Sequence, residues 1–136
     1  MRNKAKLLEI GRVARYKSER IAKDNSYFNR NMCGFCARGS AILFYELSKN
    51  GIQSTIIEAD RHFYVKSLDY MIDITATQFG NFFPKVLVLK NVYPSMSMYG
   101  RWDPIKIYYS IEEARNGQIE RHWKEPELIE WSDLEH

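Results

Sequence analysis

The chain has 136 residues, 45% hydrophobic and 14% aromatic, with a formal net charge of +3. That length and apolar content suit one core in one domain, taken as residues 1–133, and no apolar run approaches the ~20 residues that cross a bilayer. Residues 1–30 carry nine Lys/Arg against Glu9, Glu19 and Asp24, while residues 111–136 carry Arg115, Arg121 and Lys124 against eight Asp/Glu. The basic residues are spread between acids along a helical pattern rather than blocked together, so a solvated helix face accounts for them and a nucleic-acid partner is not expected. The basic start lacks an apolar secretory core, which favours a cytoplasmic protein without a membrane partner, and Leu134–Glu135–His136 reads as a tag remnant.

Leu7, Ile10, Ala14 and Ile21 recur at near-helical spacing, which predicts an amphipathic helix over about residues 3–24. Asp24–Asn25–Ser26 supplies turn chemistry, and an irregular stretch leads to Cys33-Gly34-Phe35-Cys36. From Cys36 the pattern becomes a strongly apolar helix, stopped by Asn50–Gly51. Strands are predicted over about 53–59, 61–66 and 70–75, with a fourth over Val86–Leu89 and a fifth over Ile105–Tyr109. Val92 to Pro104 reads as loop, and Ser110-Ile111-Glu112-Glu113 is a capping box that opens a short helix to about Asn116. Two helices followed by mainly antiparallel strands define an α+β domain, with the second helix packed on the sheet.

The chemistry converges on Cys36. A thiol attacks as its thiolate, and a free thiol has a pKa of about 8.5, so a nucleophilic cysteine needs local positive potential. The first turn of a helix supplies it through unpaired N–H groups and the macrodipole. Cys36, Ser40, Leu43 and Leu47 share one helical sector, so the thiol points where the helix packs, and Gly39 and Ser40 permit close approach to a sheet. His62 and Asp73 lie symmetrically about the residues 66–69, which predicts direct pairing across a hairpin. Paired residues share a face with Cβ atoms about 4.5–5.5 Å apart, close enough for a carboxylate to hold one imidazole nitrogen while the other takes a thiol proton. Asn31, five residues before the nucleophile, is a candidate second oxyanion donor beside the Cys36 N–H. Gln78 either faces substrate or caps the hairpin's end.

These segments carry a family resemblance. The run Cys36 to Ile52, then His62-Phe63-Tyr64-Val65, then Ile72-Asp73-Ile74-Thr75-Ala76-Thr77-Gln78-Phe79 resembles the core of transglutaminase-like and papain-like cysteine proteins. The Asp-x-Thr-x-x-Gln-Phe form is similar to that of small bacterial and phage members. The resemblance implies a Cys36 nucleophile, a His62 general base and acid, and an Asp73 orienting group, on a helix packed against an antiparallel sheet. It also implies a hydrolase or acyl transferase acting on an amide in a peptide, protein or small molecule, needing no cofactor or metal. At 136 residues the chain has no room for the accessory domains of large crosslinking transglutaminases, and it has no calcium-loop pattern.

Other readings stand beside this one. Cys33 and Cys36 form a Cys-x-x-Cys that suits a dithiol redox site at a helix start, but the preceding segment lacks the strand of a βαβ unit. Half of a zinc site would need ligands from unrelated elements, since His62 and His122 stand in no metal-binding spacing. A non-catalytic adaptor or inhibitor could instead use the Tyr93–Trp102 stretch, with Met96, Met98 and Tyr99, as a binding surface. Neither the substrate nor the oligomeric state is written in the sequence.

Overall fold

A computed structural model of the chain describes residues 2–28, 30–90 and 103–135. Among these residues, three α-helices, α1 (Arg2–Lys23), α2 (Cys36–Lys49) and α3 (Ile111–Glu120), accompany five strands. The strands are β1 (Thr55–Ala59), β2 (His62–Ser67), β3 (Tyr70–Asp73), β4 (Leu87–Lys90) and β5 (Lys106–Tyr108). They form one open antiparallel sheet in the order β4-β3-β2-β1-β5, so the architecture is α+β. The Tyr93–Trp102 stretch lies outside the described residues, as does His136.

Each boundary has a local cause. Helix α2 ends at Asn50, whose side chain donates to the Glu46 carbonyl at 2.8 Å, and Gly51 follows at φ 73°, the left-handed conformation glycine adopts without strain. At the start of α3 the Ser110 hydroxyl accepts from the Glu113 N–H at 3.1 Å, as the capping box predicts. Glu113 reaches back to the Tyr109 N–H instead of the cap residue, and the helix runs one turn further than its sequence signals, to Glu120.

Helices α1 and α2 pack against one face of the sheet. Leu7, Ile10 and Ala14 meet Ala41, Ile42, Leu43 and Leu47, and these meet Ile56, Phe63, Val65 and Ile72. The opposite face carries a smaller cluster of Ile57, Ala59, Tyr64, Met71 and Leu87, flanked by Phe79 and Phe83. Gly39 lets α2 come close: a Cβ there would lie 3.3 Å from Thr75 Cγ2 and 3.5 Å from Ile74 Cδ1. Leu134, set aside in the sequence with its two neighbours, is only 9% exposed and belongs to the main core.

One expectation is corrected. The β2–β3 turn is Leu68–Asp69, with Val65 opposite Ile72 and Ser67 opposite Tyr70. Continuing that register puts Asp73 beside Tyr64, so His62 and Asp73 are diagonal neighbours rather than a direct pair. The shift is two residues and preserves the face, because side chains alternate with period two. Symmetry about a turn determines which residues share a face, whereas the choice of turn residues sets the pairing; here Leu68 takes φ 56° and Tyr70 begins the return strand.

Candidate active site

The site forms where α2 starts and β2 begins. Phe35, the residue before α2, offers no side-chain cap, and the first intrahelical bond is from the Gly39 N–H to the Phe35 carbonyl at 2.8 Å. The N–H groups of Cys36, Ala37 and Arg38 therefore have no acceptor within the helix, and their dipoles raise the potential at Cys36. The turn entering the helix is conformationally costly: Asn31 and Met32 take φ 69° and 65°, and Gly34 takes 88°. A non-glycine residue held left-handed costs on the order of 1–2 kcal/mol, so surrounding contacts must fix it.

Cys36 is 2% exposed, His62 is fully buried and Asp73 is 1% exposed. His62 Nε2 lies 2.5 Å from Asp73 Oδ2, and the Cys36 sulfur is near enough to the ring to help raise its pKa. Asp73 is oriented by its own loop: Oδ1 accepts from the Thr75 N–H at 2.8 Å and from the Thr75 hydroxyl at 3.3 Å. Phe79 meets the imidazole edge-on with centroids 4.8 Å apart. Burial pushes His62 toward its neutral form, but the Asp73 charge, the hydrogen bond to it and the Cys36 sulfur outweigh burial and raise its pKa from 6.5 to about 10.

Cys36, His62 and Asp73 join two layers of the fold. By strand alternation His62 and Asp73 project with Tyr64 and Met71 from the face away from α2, whereas Phe63, Val65 and Ile72 face the helix. His62 is the first residue of its strand, and at that end of the sheet its ring meets the sulfur at the first residue of α2.

An open cleft of about 750 Å³ lies over Cys36. Its lining includes Cys33 and Gly34 before the helix, Glu58 to Arg61 at the β1–β2 turn, Gln78, and the Arg121–Lys124 segment after α3. Gln78 reaches the cleft, but its amide nitrogen donates to the Thr75 carbonyl at 3.1 Å and hydroxyl at 3.2 Å, the turn-capping role. Asn31 is exposed and is not among the lining residues; its backbone carbonyl accepts from the Thr77 hydroxyl at 3.3 Å. Cys33 is exposed at the cleft, and both thiols are free. Among the described residues no cluster of three or more His, Cys, Asp or Glu could hold a metal ion.

Several residues of the site escaped the sequence reading. Glu58, 3% exposed, accepts from the Tyr108 hydroxyl at 2.7 Å and the Trp123 Nε1–H at 3.3 Å, and pairs with Arg121 at 3.3 Å. Burial and that bond to Glu58 push the Tyr108 phenol up to about 12. Tyr27 donates its hydroxyl to Glu127 on the cleft wall, and this bond likewise pushes its pKa to about 12. Arg38, on α2, grips Asp133 with two bonds of 2.8 Å and the Pro126 carbonyl at 3.1 Å, which holds the C-terminal segment against that helix. The available signal was a charge inside an apolar run, as in Ile56-Ile57-Glu58-Ala59 and around Arg38.

The chain matches no family model, no curated protein and no solved structure. Among the described residues, no helix is long and apolar enough to cross a membrane.

Proposed function

We propose that the protein is a cysteine-nucleophile hydrolase or acyl transferase of the transglutaminase-like, papain-like type, acting on an amide bond through Cys36, His62 and Asp73. The observation that carries this reading is the buried His62, held by Asp73 through Nε2 and brought near a cysteine at an uncapped helix N-terminus. An imidazole with a strongly raised pKa, oriented by a carboxylate and set beside a thiol at a cleft, is a physical mark of a candidate nucleophile site.

With Nε2 engaged by Asp73, Nδ1 is the nitrogen that exchanges the thiol proton. The raised pKa favours the imidazolium at neutral pH, which supplies the positive charge a thiolate needs. The sulfur attacks the amide carbon, the carbonyl electron pair moves onto oxygen, and the Cys36 N–H donates to that oxyanion. On collapse the C–N bond breaks, the leaving nitrogen takes the imidazolium proton, and a thioester remains on Cys36. The neutral ring then takes a proton from water or an acceptor amine as that nucleophile attacks the thioester. The carboxylic acid or new amide departs, and the expelled thiolate again faces an imidazolium.

The test is competitive labelling with sub-stoichiometric iodoacetamide, in which Cys36 should be modified far faster than the exposed Cys33, and His62→Ala should remove the preference. Equal rates for the two cysteines in the wild-type chain would sink the reading.

A further inference from the structure

We propose that Arg15 is a positioning residue, whose single buried guanidinium sets the nucleophile's turn and the Asp73 loop in register with each other. The proposal rests on the reading of Cys36, His62 and Asp73 given above. Arg15 lies on α1, 6% exposed and far in sequence from all three. Its Nη1 donates to the Ile74 carbonyl at 2.8 Å and to the Thr77 hydroxyl oxygen at 3.0 Å. Nε donates to Glu19 at 2.9 Å, which balances the charge and fixes the guanidinium plane.

Those two acceptors are the points through which the two arms of the site are held. Ile74 is the residue between Asp73 and Thr75, and Thr75 is what orients the Asp73 carboxylate, so gripping the Ile74 carbonyl fixes the acid arm. Thr77 accepts from Arg15 and donates its own proton to the Asn31 carbonyl at 3.3 Å. That bond lands on the left-handed turn that delivers Cys36, five residues on, a conformation that needs outside contacts to persist. One cation thus spans the distance between the nucleophile's approach and the acid's loop. Lysine cannot reproduce this, because an ammonium is a point charge on a flexible stem and lacks the planar fork of donors.

The experiment uses the full chain in a Cys33→Ser background, so that only Cys36 reports. Arg15→Lys, Thr77→Val, Thr77→Ser and Lys17→Met are compared by the pH profile of iodoacetamide alkylation and by the NMR titration midpoint of the His62 ring. Lys17→Met is the control for loosened helix docking, since Lys17 ties α1 to Glu46 on α2 at 2.6 Å. Arg15→Lys should slow alkylation about tenfold and Thr77→Val about threefold, the effect expected of small misplacements of reacting groups. In Arg15→Lys the His62 midpoint should fall from about 10 toward 6.5. Thr77→Ser should recover most of the Thr77→Val loss, and Lys17→Met should behave as the parent.

An Arg15→Lys protein with the parent's alkylation profile and His62 midpoint overturns the proposal, and so does a Lys17→Met protein as impaired as Arg15→Lys. If the parent Cys36 alkylates no faster than an ordinary thiol, the catalytic reading fails by itself, and the His62 midpoint of Arg15→Lys still decides whether Arg15 positions the ring.

Discussion

Two open clefts of nearly equal size, about 750 and 790 Å³, take opposite ends of the same elements. The first sits over the start of α2 and the β1–β2 turn; the second sits over the end of α2, the start of β1 and the β2–β3 turn, with Phe44, Ser48, Lys66 and Tyr109 in its walls. At the second cleft the helix end is satisfied, since the Asn50 N–H and side chain cap the Glu46 and Leu47 carbonyls. At the first, the helix N-terminus has no side-chain cap and a buried imidazole–carboxylate pair lies against its first residue. Volume does not separate the two. The difference is the direction of the helix dipole and the presence of titratable groups removed from water, where charge interactions are strongest.

The strongest way to break that comparison is Cys36→Ala, which should abolish both the selective labelling and any turnover of an amide, read by mass spectrometry of the labelled chain. Asp73→Asn keeps the shape but removes the charge that raises the His62 pKa. It should slow Cys36 alkylation about a hundredfold, within the range that positioned acid–base groups contribute. Loss limited to less than about threefold would mean that the pair is only structural.

The pH dependence sharpens the same point. Because the folded state raises the His62 pKa from 6.5 to about 10, the folded protein holds that proton more tightly than the unfolded chain. The resulting stabilisation is complete below about pH 6.5 and is lost as pH rises through about 10. Urea midpoints of the wild-type chain and His62→Gln should therefore differ most near pH 6.5 and converge above about pH 10. A difference independent of pH over that window would contradict the assigned imidazolium.

Gly39→Val, in the contact between α2 and the Asp73 loop, should cost about 2 kcal/mol of stability by overpacking against Thr75. It should also slow Cys36 alkylation more than its effect on stability would suggest, because the displaced loop carries Asp73, which holds His62. At the small end, Tyr109→Ala in the second cleft removes a side chain that is 68% exposed. Stability should change by no more than about 0.5 kcal/mol, and the Cys36 rate should stay at the wild-type value; a slowed Cys36 would mean that the two ends of α2 communicate.

Much of this molecule was written locally. The apolar period of α1 and α2, the Asn50–Gly51 stop, the Ser110 cap and the β-branched, aromatic and aliphatic residues of β1 to β4 are all short-range signals, and the elements formed close to where those signals stood. Cys36 at a helix start and the shared face of His62 and Asp73 followed from the same periods, since a face depends only on parity along a strand. The tertiary structure decided the rest. The hairpin register was set by which two residues made the turn, so the direct pairing became a diagonal one. The meeting of Cys36 with a ring that projects from the other side of the sheet depended on where α2 began against β2. The long-range partners of Arg15, Arg38 and Glu58 lie 59 to 62, 88 to 95 and 50 to 65 residues away in sequence, because each side chain spans separate elements. No period or spacing encodes such contacts: a buried charge announces that it must have a partner, and only the packed chain determines which one arrives.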